Sequence, residues 1–132
     1  MRKSLVLAPV LVGLAWSIGR SSQPQRVTGF FSDFAYSEKT GDVGGAEIFI
    51  SYALVNNGLE SRHYAYVQIA EGGPGEPQLV PVAVQGSRIT FSLRRPYDAI
   101  SPFVATVTRD SLIGHFTNGW VLRLPRRPSY WQ

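Results

Sequence analysis

Two histidines, His63 and His115, are the only side chains of this 132-residue chain that titrate near neutral pH without perturbation. A metal site would need a third ligand, such as Asp110 or Glu47. Neither histidine stands at the H-x-H or H-E-x-x-H spacing that brings ligands together. The chain has no cysteine, which excludes thiolate ligands, cysteine nucleophiles and disulfides. We therefore predict no metal site and no cofactor.

Catalysis by a serine or by paired carboxylates has no matching pattern either. No serine lies in a G-x-S-x-G elbow, which would also require a strand-to-helix turn. Glu47, Glu71 and Asp110 show no spacing that favours a glycosidase pair. We predict a protein that is not an enzyme and has no catalytic residues, and we keep a hydrolase as an alternative.

Aromatic rings are the remaining group that could recognise something, by stacking on a small ligand or a sugar. Many of them fall on neighbouring predicted strands. The candidate ligand-binding residues are Tyr52, Tyr64, Tyr66, Phe103, Phe116 and Trp120. The alternative is that these rings fill the core.

The C-terminal segment ends in Tyr130 and Trp131, after Pro125 and Pro128 have stopped the last strand. Large apolar side chains are costly to leave exposed at a terminus. We expect the segment to fold back as a plug over the mouth of the domain. A contact with a partner is the alternative.

The N-terminal segment has the order of a secretory signal peptide. Arg2 and Lys3 form a positive start, an apolar stretch runs over residues 5–18, and small and polar residues follow. Cleavage after Ser17 or after Gly19 fits the small-residue rule. We predict export, to the periplasm or the extracellular space, with no membrane span after cleavage; an uncleaved anchor and a buried N-terminal helix are the alternatives.

The basic charge does not indicate a nucleic-acid partner. The formal charge is +4, but removal of Arg2 and Lys3 with the signal leaves eleven basic side chains against nine acidic ones. Only one lysine, Lys39, follows the signal, whereas a phosphate-binding face usually carries a wide Lys/Arg stripe. We predict no nucleic-acid binding.

Apolar residues alternate with period two after the signal, which predicts strands rather than helices. In 88–94, for example, Ile89, Phe91 and Leu93 share one face. In 27–36 the alternation groups Phe30 with Phe34. The other predicted strands are 46–54, 64–70, 79–84, 103–109, 112–117 and 120–124. Pro81 indicates an edge or bulged strand, and Asn118-Gly119 predicts a type I′ hairpin turn.

Eight short strands with hairpin-length links predict an all-β, antiparallel up-and-down meander. Closure into a small barrel would remove its unpaired edges, and a two-sheet sandwich is the alternative. The predicted organisation is a signal-peptide helix at 1–19, a polar linker at 20–26, a β-barrel domain at 27–125 and a C-terminal tail at 126–132. One domain of this size can hold only one core.

This layout resembles that of the calycins, the lipocalin-like and avidin-like small barrels. Lipocalins open their first strand with Gly-x-Trp and place an arginine from the end of the last strand across that aromatic ring. Gly29, Phe31 and either Arg123 or Arg126 stand at the matching places here, with phenylalanine instead of tryptophan. We name Gly29, Phe31 and Arg123 as fold-defining residues. The resemblance implies the fold and no particular ligand.

These observations lead to an exported, monomeric, non-catalytic β-barrel protein that binds a small ligand or a component of the cell envelope. A structural or protein-interaction module with a filled core is the alternative. A solid interior would remove the physical basis for ligand binding inside the barrel.

Overall fold

The computed structural model of the protein describes residues 26–132. The predicted signal peptide and all of the predicted linker except Arg26 lie outside these residues. The described part is all-β, with one 3₁₀ turn at Asp98–Ile100. Its strands are β1 Gly29–Ser32, β2 Ala35–Tyr36, β3 Val43–Val55, β4 Glu60–Gly72, β5 Gln78–Gln85, β6 Arg88–Phe91, β7 Phe103–Val107, β8 Ser111–His115 and β9 Val121–Pro125.

The strands form an antiparallel meander in the order β1-β3-β4-β5-β6-β7-β8-β9, with the two-residue β2 paired to β3. The sheet curls until its ends meet. Phe31 on β1 forms an antiparallel bridge with Arg126, and the amide of Arg127 donates to the carbonyl of Phe30 at 3.2 Å. The predicted eight-strand meander and its near closure into a barrel are therefore confirmed.

The inside of the barrel holds the apolar members of the period-two alternation. Ile48 and Ile50 of β3 and Val67 and Ile69 of β4 belong to one continuous core with Phe31. Their sequence neighbours Phe49 and Tyr66 point outward, because successive residues of a strand face opposite sides of the sheet. The period-two alternation that predicted strands 46–54 and 64–70 therefore separates an inner from an outer set of side chains in β3 and β4.

The first predicted strand, 27–36, is not continuous, although its grouping of Phe30 with Phe34 on one side holds. The strand is interrupted after Ser32, and the side chain of Asp33 turns to accept from the amide of Ala46 at 2.7 Å. Phe31, and not Phe30, enters the core, while Phe34 is buried outside it. Phe30 and Phe34 thus lie on the same outer side before and after the break, and Phe34 packs there against the rings of Tyr130 and Trp131.

Two features around the turns also differ from expectation. Strand β5 lies between β4 and β6 instead of at an edge, but at Pro81 it pairs only with Tyr64 of β4, because the ladder to β6 covers only 83–85. The Asn118-Gly119 hairpin is present, yet only Gly119 has a positive φ, +86°, whereas a type I′ turn requires two such residues.

Candidate functional site

The barrel interior is filled by rings. Phe91 and Phe103 have centroids 5.1 Å apart, Phe103 and Phe116 are 4.8 Å apart, and Phe116 stacks on Trp120 at 5.2 Å. Gly114 shows how tight this packing is: a Cβ there would lie 2.5 Å from the ring of Phe103. Within residues 26–132 every buried side-chain nitrogen and oxygen has a hydrogen-bond partner.

The six candidate ligand-binding residues do not form one site. Phe103 and Phe116 are core residues, and Trp120 is a half-buried cap over them. Tyr64 and Tyr66 lie on the opposite, outer side of the sheet. Tyr52 is 54% exposed and packs edge-on against His63, beyond the filled part of the barrel. The prediction that these rings line one cavity is therefore wrong, because they occupy both faces of the sheet.

A polar cleft of about 170 Å³ opens between the β4–β5 loop and the link after β6, lined among others by Glu76, Arg94 and Tyr97. The buried side-chain amide of Gln78 holds the two sides of the cleft together. It donates to the carbonyl of Arg94 at 3.0 Å and accepts from the backbone amide of Arg94 at 2.7 Å. Burial raises the pKa of Tyr97, and the nearby charge of Glu71 raises it further. The cleft is smaller than ordinary ligand pockets.

The two histidines lie on different parts of the barrel. His63 is near the start of β4 beside Tyr52, and His115 is exposed at the end of β8, opposite Val104 of β7. No group of three or more His, Asp or Glu side chains suited to a metal ion occurs among the described residues.

The outer side of β1, β3, β4 and β5 carries a row of large apolar side chains. Backbone register places Phe30 opposite Phe49, Phe49 opposite Tyr66, and Tyr66 opposite Leu79. The rings of Phe30 and Phe49 are stacked with centroids 4.2 Å apart, while Tyr66 is 39% and Leu79 62% exposed. A second row, Ser51, Tyr64 and Pro81, runs beside the first.

These seven residues, which we call the outer aromatic face, include no charged side chain. Arginines stand around them. The backbone amide of Arg127 donates to the carbonyl of Phe30. The guanidinium of Arg94 donates to the carbonyl of Leu79 at 3.3 Å. Arg62 flanks Tyr64 on β4, and its hydrogen bond to Glu60 raises its pKa. An apolar centre with a polar rim is the usual anatomy of a protein interface.

The C-terminal tail borders the outer aromatic face. The carboxylate of Glu47, only 2% exposed, accepts from the hydroxyl of Ser129 at 2.6 Å and from the amide of Tyr130 at 2.8 Å. The indole of Trp131 donates to the side-chain oxygen of Gln68 at 3.0 Å. The tail does fold back, but onto the outside of the barrel, so its prediction as a plug over the mouth is wrong.

Of the three residues named as fold-defining, Gly29 and Phe31 lie at one arginine contact and Arg123 lies away from it. The guanidinium of Arg126 lies over the ring of Phe31, with Cζ 4.5 Å from the centroid. A Cβ at Gly29 would lie 2.6 Å from its Nη1, and φ there is +135°, so this place favours glycine. Arg123 is exposed on the outside of β9. The arginine at the ring is therefore Arg126, not Arg123.

The outer aromatic face was not selected from the sequence as a site. Its signal was present, because Phe49, Tyr66 and Leu79 stand at strand positions where alternation calls for polar residues. Only the register of four strands joins them into one surface.

Comparison with known proteins adds no assignment: no protein-family model, no curated protein and no solved structure matches the chain. Within residues 26–132, no helix has the length and apolar character needed to cross a membrane.

Proposed function

We propose that the chain is an exported, non-catalytic interaction module, a filled β-barrel that binds a partner protein through the outer aromatic face. The observation that carries the proposal is the charge-free row Phe30, Phe49, Tyr66 and Leu79, which crosses four strands on the outside of the barrel. Contiguous exposed apolar surface rimmed by polar residues marks interaction sites.

The chemistry of the face favours a protein over a glycan. Sugar binding uses ring faces that are free to stack, but Phe30 and Phe49 stack on each other at an interplanar angle of 17°. Leu79, the most exposed member of the row at 62%, has no ring. Phe and Tyr surrounded by arginines are the composition enriched at protein interfaces, so we expect the partner to present apolar side chains bordered by carboxylates.

A small ligand inside the barrel is the less supported candidate, because the interior is occupied by Phe91, Phe103 and Phe116. The proposal that the protein is exported is supported by the signal-peptide-like order of residues 1–19. Kinship with the calycins is likewise a proposal, supported by the barrel and by Arg126 lying across Phe31 near Gly29.

Site-specific photocrosslinking in the organism that makes the protein tests this function. A photoreactive phenylalanine analogue replaces Tyr66 in one strain and Ile113 in another. Ile113 is a matched control because it is also 39% exposed but lies on β8, outside the face. We expect a discrete adduct with another protein from position 66 only, and its loss when Leu79→Lys is added.

Equal adducts from both positions, or none from position 66, would overturn the proposal. An adduct with the mass of two copies of this chain would identify the face as a self-association surface instead.

A further inference from the structure

The hairpin joining β3 and β4 extends beyond its neighbours. The register of β1 on β3 ends at Gly29–Ile50, and that of β5 on β4 ends at His63–Val82. Residues 51–62 therefore form a two-stranded ribbon, which we call the hairpin arm. Among residues 26–132 no third strand pairs with either of its edges.

The two edges of the hairpin arm differ in their protection. The β4 edge carries Glu60 and Arg62, which are joined by an ion pair of 3.2 Å. The β3 edge consists of Ser51, Tyr52, Ala53, Leu54 and Val55 and has no charge, proline or glycine. Natural proteins often place charged residues or prolines on free edges, because the unpaired backbone N–H and C=O groups there offer a template for another strand.

The same edge exposes apolar side chains. Tyr52 is 54% and Leu54 63% exposed, and both point to the same side because they are two residues apart on one strand. This is the side opposite the outer aromatic face, since Tyr52 and Leu54 alternate with Ser51.

We propose that the β3 edge of the hairpin arm pairs with the same edge of a second copy of this chain, antiparallel about a two-fold axis at Ala53. In that register Tyr52 of each copy lies opposite Leu54 of the other, on one side of the joined sheet. Aromatic–aliphatic cross-strand pairs stabilise sheets, and a two-fold contact is self-complementary by construction.

A second copy fits better than the chain's own N-terminal segment. Continuation of the β1 register would bring Gln25 and Pro24 beside Leu54 and Val55, and these residues offer no large apolar side chain and one proline that cannot donate. The contact is short, well below the roughly 1,200–2,000 Å² that stable interfaces bury. The pair is therefore weak and forms only at high concentration, in place of the monomer expected from the sequence.

Sedimentation equilibrium of the purified exported protein, from low micromolar to near-millimolar concentration, tests this pairing. The wild-type mass should rise from one chain to two. Leu54→Lys, which puts a charge on the edge, should hold the mass at one chain throughout. Ser61→Lys is the matched control, because Ser61 is registered opposite Leu54 on the β4 edge, and it should dimerise like wild type. Circular dichroism checks that both variants keep the sheet.

A wild-type mass of one chain at the highest concentration overturns the proposal, as does equal loss of dimer in the two variants. If a wild-type monomer dimerises only after residues before Arg26 are deleted, the chain's own N-terminal segment covers the edge and the second copy is not its partner.

Discussion

The guanidinium of Arg126 stands 4.5 Å over the ring of Phe31 and joins the first strand of the barrel to the segment after the last. It donates to the carbonyls of Thr28 at 2.7 Å and Arg26 at 2.9 Å, and to those of Arg109 at 2.9 Å and Thr108 at 3.2 Å. Burial lowers its pKa, and the nearby charge of Arg26 lowers it further. One side chain thus connects the residues just before β1, the turn between β7 and β8, and the bridge between Phe31 and Arg126 at which the barrel closes.

Arg126→Ala should lower the free energy of unfolding by about 2–3 kcal/mol, because it removes several hydrogen bonds and one cation–π contact. Arg126→Lys should recover only part of the loss, since an ammonium lacks the planar fork of donors. Urea denaturation measures both effects. The control Arg123→Ala removes an exposed arginine from β9 and should change little; a comparable loss there would contradict the role assigned to Arg126.

Deletion of residues 128–132 should lower the melting temperature by about 10 °C, corresponding to roughly 2 kcal/mol. The deletion removes both hydrogen-bond donors to the buried carboxylate of Glu47 and the edge-on contacts of Tyr130 and Trp131 with Phe34. Ser129→Ala should give a smaller drop, and removal of Gln132 alone should give almost none. Thermal melting decides: a truncated protein as stable as wild type would mean that the tail does not pack on the barrel.

Gly114→Ala should destabilise the protein by about 1–3 kcal/mol through overpacking. Its Cβ would lie 2.5 Å from both the ring of Phe103 and the Cβ of Ala105. Gly44→Ala is the matched strand control, because a Cβ there meets nothing within 4 Å. Chemical denaturation of the two variants gives the comparison. Equal stabilities would show that the interior near Phe103 has room to spare.

Tyr97 should make the stability of the protein fall in alkaline solution. Its pKa is raised in the folded state by burial, with a further contribution from Glu71, so the folded protein holds the phenolic proton more tightly than the unfolded chain. The stabilisation is present below the ordinary tyrosine pKa of about 10 and is lost as pH rises through the folded value. Tyr97→Phe should flatten this part of the curve of unfolding free energy against pH. An unchanged slope would exclude Tyr97 as its source.

Alternation along the chain was enough to identify most strands and the direction of their side chains. It worked for Ile48 and Ile50, and for Val67 and Ile69, because each lies within an uninterrupted strand and period two then assigns its face. It did not reveal the break within 27–36, where the side chain of Asp33 accepts from the amide of Ala46 and the strand ends at Ser32. A contact thirteen residues away in the chain leaves no mark on local periodicity.

Period-two patterning and turn residues are local properties, and they were enough to predict an all-β meander with one apolar side. The contact of Arg126 rather than Arg123 with Phe31, and the covering of Glu47 by the tail on the outside of the barrel, are visible only in the folded chain. The fold also sets which large apolar residues lie side by side, since Phe30, Phe49, Tyr66 and Leu79 belong to four strands. Neighbours across strands depend on register and closure, which are set by long-range pairing and not by any one segment.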